Sequence, residues 1–191
     1  MHADNWANRA KQEGYRTRAV YKLEEILQKT KSLRKSQNVL DLGSAPGGWS
    51  HYIKKKSPNS EVYAIDILDM EVVDGVYFFQ NSIEEIDTID VISSKMGSFG
   101  LVISDIAPNI TGINAIDIEN IYELNILTLD TAAKYLNKSH GSFIMKTFQN
   151  SMLKNLRKKM ELSFKIVQTF KPAASKKQSG EIFLYGAYND E

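Results

Sequence analysis

Asp41-Leu42-Gly43-Ser44-Ala45-Pro46-Gly47-Gly48-Trp49-Ser50 is the stretch on which the fold turns. It closes a short apolar run, Asn38–Leu42, that reads as a buried strand. It opens residues 49–56, which read as a helix stopped by Ser57-Pro58-Asn59. Small residues at 43, 45 and 48 fit a G-x-G/A-x-x-G turn between strand and helix. Such a turn lets backbone approach a ligand and offers free N–H groups at the helix start. A glycine turn alone is weak evidence, and three details add to it. Asp41 places a carboxylate near the end of the first strand, where it would meet a cation. Asp66 ends a second strand, Glu61–Asp66, at the distance expected of a ribose-binding acid. Pro46 removes an N–H, which suits a ligand without a pyrophosphate. A ribose with a cationic amino-acid tail describes S-adenosyl-L-methionine. Trp49 beside the turn serves equally well as a helix-packing residue.

Outward from this turn, strands and helices alternate. Residues 18–30 place Val20, Leu23, Ile26 and Leu27 at helical spacing. Val76–Gln80, 101–105, 142–147, 165–170 and 181–188 read as further strands. Residues 118–136 and 151–162 read as helices, the second basic, and 172–180 as a mobile loop. This alternation predicts an α/β fold, a parallel sheet with helices on both faces. The 191 residues form one expected domain, 1–191, with 1–35 a basic helical region.

Composition narrows the chemistry. There is no Cys, so disulfides, thiolate nucleophiles and Cys-based metal sites are excluded. The three His are far apart in the chain, and no metal site is expected. No apolar run reaches the length of a membrane span, and no secretory signal opens the chain. The net charge of +1 conceals segregation. Residues 57–94 carry nine acids and no Lys or Arg, whereas 134–177 carry eleven bases and one acid, Glu161. Residues 1–35 add nine bases against four acids. Each run alone reads as a solvated face. Basic stretches sharing a face would attract a polyanion such as nucleic acid.

Four charged residues are candidates for chemistry: Lys22 in RAVYKL, Asp105 in SDIAPN, Lys146 in SFIMKT and Glu181 in SGEI. An unpaired ammonium inside an apolar strand is expensive, so Lys146 either reaches solvent or meets a carboxylate. Strand ends would gather Asp41, Asp105 and Lys146 on one rim.

The segments EGYRTRAVYKL (13–23), DLGSAPGGWS (41–50), SDIAPNITG (104–112), GSFIMKTF (141–148) and KPAASKKQSGE (171–181) together resemble the FtsJ-like ribosomal RNA 2′-O-ribose methyltransferases. The likeness spans essentially the whole chain. It implies a Rossmann-like methyltransferase fold, a seven-stranded sheet with the last strand antiparallel. It implies a catalytic Lys–Asp–Lys–Glu set on Lys22, Asp105, Lys146 and Glu181. It implies a cofactor site for S-adenosyl-L-methionine drawn from Asp41, Gly43, Ala45, Pro46, Gly47, Gly48, Trp49, Asp66, Ser82 and Asp105. The family's acid after the third strand is replaced here by Ser82, within Gln80-Asn81-Ser82, a weaker hydrogen-bond acceptor. Arg9, Lys11, Arg16, Arg18, Lys154, Lys176 and Lys177 are the expected RNA-phosphate contacts. The implied substrate is a uridine of large-subunit ribosomal RNA, free or in the subunit particle, met by a monomer. A tRNA substrate, an RNA-binding module with an inactive site and a nicotinamide-dependent oxidoreductase are the alternatives. The tail KPAASKKQSGE resembles mitochondrial members, which implies that compartment. No Arg-rich leader precedes the first motif, and the cytoplasm is the alternative.

Overall fold

A computed structural model describes residues 3–176 and 178–189, so Lys177 lies outside the described residues. The elements in order are α1 (Ala3–Gln12), α2 (Val20–Thr30), β1 (Asn38–Leu42), α3 (Gly48–Lys56), β2 (Glu61–Asp66) and β3 (Val76–Gln80). A 3-10 helix (Ile83–Thr88) and a short α4 (Asp90–Ser93) lead to β4 (Phe99–Ser104) and α5 (Asn114–Tyr135). Then come β5 (Ser142–Phe148), α6 (Leu153–Ser163), β6 (Ile166–Phe170) and β7 (Glu181–Ala187). They form one seven-stranded sheet in the order β3-β2-β1-β4-β5-β7-β6. Pairings from β3 to β5 are parallel, and β7 runs antiparallel to both β5 and β6. Every residue of β4 is buried, while the edge strands β3 and β6 are half-exposed, as sheet position requires.

Strand alternation sorts the side chains between two helix layers. Val39, Leu101, Ile103, Ile144 and Phe183 face the layer of α1, α2 and α3. Leu40, Val102, Phe143, Met145 and Leu184 face the layer of α5 and α6. Continuing the period of two puts Asp41, Asp105, Lys146 and Glu181 on the α2–α3 side. The four charged residues therefore share one face because each sits an even number of residues from an apolar core partner.

Several sequence expectations shift: β4 is Phe99–Ser104 rather than 101–105, so Asp105 follows the strand instead of ending it, and α6 is Leu153–Ser163 rather than 151–162. Helix α5 begins at Asn114, before the expected 118. Asp117 explains this, because its carboxylate accepts from Thr111 N, Thr111 Oγ1 and Gly112 N at 2.7, 2.7 and 3.1 Å and ties the preceding loop to the first turn. The segment 172–180, read as a mobile loop, is hydrogen-bonded to the rest of the fold at several of its described residues. Arg18 Nη1 donates to the Ala174 carbonyl at 3.1 Å, Ala173 N to Glu25 at 2.8 Å, and Lys171 Nζ to the Ser179 carbonyl at 2.5 Å.

Candidate active site

The turn after β1 needs its glycines for backbone conformation and for packing within the protein. Gly43 and Gly47 have φ of 73° and 92°, a region that disfavours residues with a Cβ. A Cβ at Gly43 would lie 2.8 Å from Ile106 Cβ, and one at Gly48 2.8 Å from Thr17 Oγ1. At Gly47 it would lie 2.8 Å from Arg16 Nη1. The room is taken by the protein itself. Arg16 lies against the turn: Nη1 donates to the carbonyls of Pro46 and Glu71 at 2.8 Å each, and Nη2 to Val72 at 2.7 Å. Arg16, one of the expected RNA-phosphate contacts, thus also braces the turn against the segment after β2.

A cleft of about 850 Å³ opens across the carboxyl ends of β1, β2, β3 and β4. Of the expected cofactor residues, Gly43, Ala45, Asp66, Ser82 and Asp105 line it, together with Lys146. Asp41, Pro46, Gly48 and Trp49 instead border a small cavity beneath the turn, which Asp105 also reaches. Trp49 is a packing residue: its Nε1 donates to the Ala19 carbonyl at 3.0 Å and its ring lies 5.9 Å from that of Phe183. Asp41 is buried and accepts from Ser50 Oγ at 2.6 Å. Burial, opposed by the Ser50 hydrogen bond and reinforced by Asp105 and Asp66, pushes its pKa up to about 7. Asp66 accepts from Ala45 N at 2.9 Å and Leu68 N at 2.8 Å, which fixes its carboxylate at the cleft wall. Ser82 Oγ caps the 3-10 helix by accepting from Glu84 N at 3.2 Å.

The charged set closes the site. Lys146 Nζ lies 3.1 Å from Asp105 Oδ1 and also donates to the Asp105 carbonyl. Lys22 Nζ is 2.8 Å from Glu181, whose Oε1 accepts from Ser175 Oγ at 2.8 Å. The pairs share one electrostatic neighbourhood. Burial raises the Asp105 pKa, against the pull of both Lys146 and Lys22. Burial also pushes Glu181 upward, but Lys22, Ser175 and Lys146 outweigh it and hold Glu181 below its usual value. Lys22 and Glu181 come from elements 159 residues apart, so only the fold makes this pair.

The residues fit a ligand with a ribose and a polar, cationic tail. Asp66 stands at the end of β2 for the hydroxyls, and Ser44 Oγ is buried at the small cavity without a hydrogen-bond partner. Among the described residues no group of His, Asp or Glu could hold a metal, and no helix is long and apolar enough to cross a membrane.

The family model of the FtsJ-like methyltransferases matches residues 15–188. The chain belongs to the FtsJ-like methyltransferases. Ribosomal RNA large subunit methyltransferase E of Dechloromonas aromatica is 37% identical over 186 residues, covering 96% of this chain and 90% of that protein. Its namesake from Hydrogenovibrio crunogenus is 39% identical over 184 residues, covering 95% and 89%. Among solved structures, a putative ribosomal RNA methyltransferase from Plasmodium falciparum superposes with a TM-score of 0.79 at 28% identity, covering 91% of this chain and 97% of that one. As an FtsJ-like enzyme the chain transfers methyl groups, with S-adenosyl-L-methionine as the donor. The FtsJ-like fold expected from the sequence, seven strands with the last one antiparallel, is the fold observed.

The basic residues divide by layer. Arg9, Lys11 and Arg18 belong to the α1–α2 side, and Lys154 to α6 on the opposite side. Chain direction still brings some of them to one rim. Helix α6 starts just after the carboxyl end of β5, and the loop carrying Lys176 returns to Glu181, which pairs with Phe148 at that same end. Arg9 is engaged by Glu13 at 2.7 Å, while Lys11, Lys154 and Lys176 are exposed.

Proposed function

We propose that this FtsJ-like enzyme methylates a ribose 2′-hydroxyl of large-subunit ribosomal RNA. The observation that carries the reading is the double pair, Lys146–Asp105 and Lys22–Glu181, at the carboxyl edge of the sheet next to the cleft. S-adenosyl-L-methionine, when bound, supplies an already activated methyl group. The chain has to orient the hydroxyl and remove its proton.

Lys146 is the group placed for that work. Its side chain borders the cleft, where Nζ donates to the Asp105 carbonyl and stands in an ion pair with Asp105 Oδ1 at 3.1 Å, within reach of an incoming hydroxyl. The proton passes from the 2′-oxygen to Nζ when that nitrogen has a free lone pair. Glu181 accepts from the ribose edge of the substrate, and Lys22 compensates its charge while approaching the neighbouring phosphate. Holding hydroxyl and methyl in line is itself worth up to roughly 7–11 kcal/mol. Lys11, Lys154 and Lys176 hold phosphates without reading sequence, so the target is selected by RNA shape or by the ribosomal particle.

The test is ribose-methylation mapping of ribosomal RNA from cells with and without the protein, paired with tritium transfer to isolated large subunits. Loss of one 2′-O-methyl position, restored by the wild-type chain and not by Lys146→Ala, is expected. An unchanged ribosomal map with loss of a tRNA ribose methyl overturns the substrate.

A further inference from the structure

Lys146 lies at a place where the sheet stops supporting its own strand. The β4–β5 pairing ends at Ser104↔Met145, one residue before Lys146. β5 continues to Phe148 with β7 on one side only. On the other side the Lys146 carbonyl is met by a side chain: Asn125 Nδ2, from α5, donates to it at 3.1 Å. Asn125 Oδ1 accepts from Thr147 Oγ1 at 2.6 Å. Asn125 and Thr147 are each only 2% exposed. The amide orientation follows from chemistry, since a carbonyl can only accept and its partner must be the NH₂ end.

Parity explains how one residue can act on a site across the sheet. Thr147 faces α5, whereas Lys146 points to the α2–α3 face and the charged set. Asn125 reaches the backbone of Lys146 and the side chain of its neighbour, and so stands in for the missing strand. Eight residues earlier, about 12 Å along the helix, Asp117 binds the loop that follows Asp105. Helix α5 therefore grips both segments that deliver the Lys146–Asp105 pair. Asn125 is also a costly choice among Ile121, Leu129 and Ala132 in the buried face of α5, because an amide there is tolerated only when both ends are bonded.

We propose that Asn125 is a positioning residue for methyl transfer, fixing the backbone from which Lys146 reaches the reacting hydroxyl. The proposal rests on Lys146 as the proton acceptor. Asn125→Leu keeps the branched shape, with a larger volume, and removes the side-chain donor to the Lys146 carbonyl. Thr128→Val on the same helix is the control, because among the described residues the Thr128 hydroxyl bonds to its own helix, at Leu124 O (2.7 Å).

The readouts are kcat and KM with RNA, S-adenosyl-L-homocysteine affinity by calorimetry, and thermal stability. Asn125→Leu should lower kcat about tenfold, on the scale that small misplacement produces, with KM and affinity within twofold. Thr128→Val should lower the melting temperature and leave kcat intact. If Asn125→Leu does not fold, Asn125→Asp serves: its protonated carboxyl can donate to the Lys146 carbonyl and its ionised form cannot. The ratio of its kcat to that of the wild type should then fall as pH rises. Wild-type kcat in folded Asn125→Leu, or a flat ratio for Asn125→Asp, overturns the proposal. Full activity in Lys146→Ala would instead overturn the reading of Lys146 on which it stands.

Discussion

Replacing Asp41 by Asn should change the pH dependence of stability in a direction that few surface substitutions could produce. The carboxyl is 1% exposed, accepts one hydroxyl hydrogen bond from Ser50 and titrates near pH 7 in the fold, against 3.8 in the unfolded chain. An acid whose folded pKa is raised binds more protons in the native state throughout that window. Stability therefore falls as pH rises from about 4 to about 7 and levels off above it. A difference of about three units corresponds to about 4 kcal/mol at full ionisation, a large share of the 5–15 kcal/mol typical of a domain. Asparagine keeps the shape and cannot ionise. Urea unfolding of the ligand-free wild type and Asp41→Asn at pH 4.5 and 8 measures the effect. The variant should be equal or slightly weaker at pH 4.5, where Ser50 meets an amide instead of an acid, and gain a few kcal/mol relative to wild type at pH 8. A stability difference independent of pH would refute burial as the cause of the raised value.

Lys146→Ala should reduce turnover by a factor on the order of 10² or more while S-adenosyl-L-homocysteine affinity stays within a few fold. Lys146→Arg keeps the charge and cannot be deprotonated, so near-normal turnover there would remove the general-base role. Lys22→Met should destabilise the fold by about 2 kcal/mol by leaving the half-buried Glu181 with Ser175 but without its cation, and adding Glu181→Gln should recover part of the loss in denaturant titrations. Arg16→Ala should weaken cofactor binding by releasing the turn from Glu71 and Val72, whereas Lys154→Ala should weaken RNA binding and lower its salt slope by about one counterion. Calorimetry with the cofactor product and RNA titrations in varied salt separate the two effects, and a salt slope altered by Arg16→Ala alone would reverse the assignment.

The local sequence carried the sheet. Asn38–Leu42, Glu61–Asp66 and Val76–Gln80 were legible to the residue because short apolar runs bounded by Gly, Pro, Asn and Ser have few alternatives. The strand–glycine turn–helix at 41–50 and the acid ending β2 were legible for the same reason: backbone conformation and strand ends are set by neighbours in the chain. The Lys22–Glu181 pair and the Lys146–Asp105 pair were legible as members of a family pattern, and their contacts were not, because they join elements far apart in sequence. A second reason for the glycines was not legible, since what fills the space above Gly43, Gly47 and Gly48 comes from Ile106, Arg16 and Thr17. Asn125 gave no signal in the sequence, where it looks like one polar residue in an apolar helix face. Its meaning depends on where β4 stops pairing with β5, and strand register is a property of the assembled sheet. Sequence determined which elements form and which residues could do chemistry; tertiary structure decided which of them meet, because burial and register, unlike periodicity, are not local.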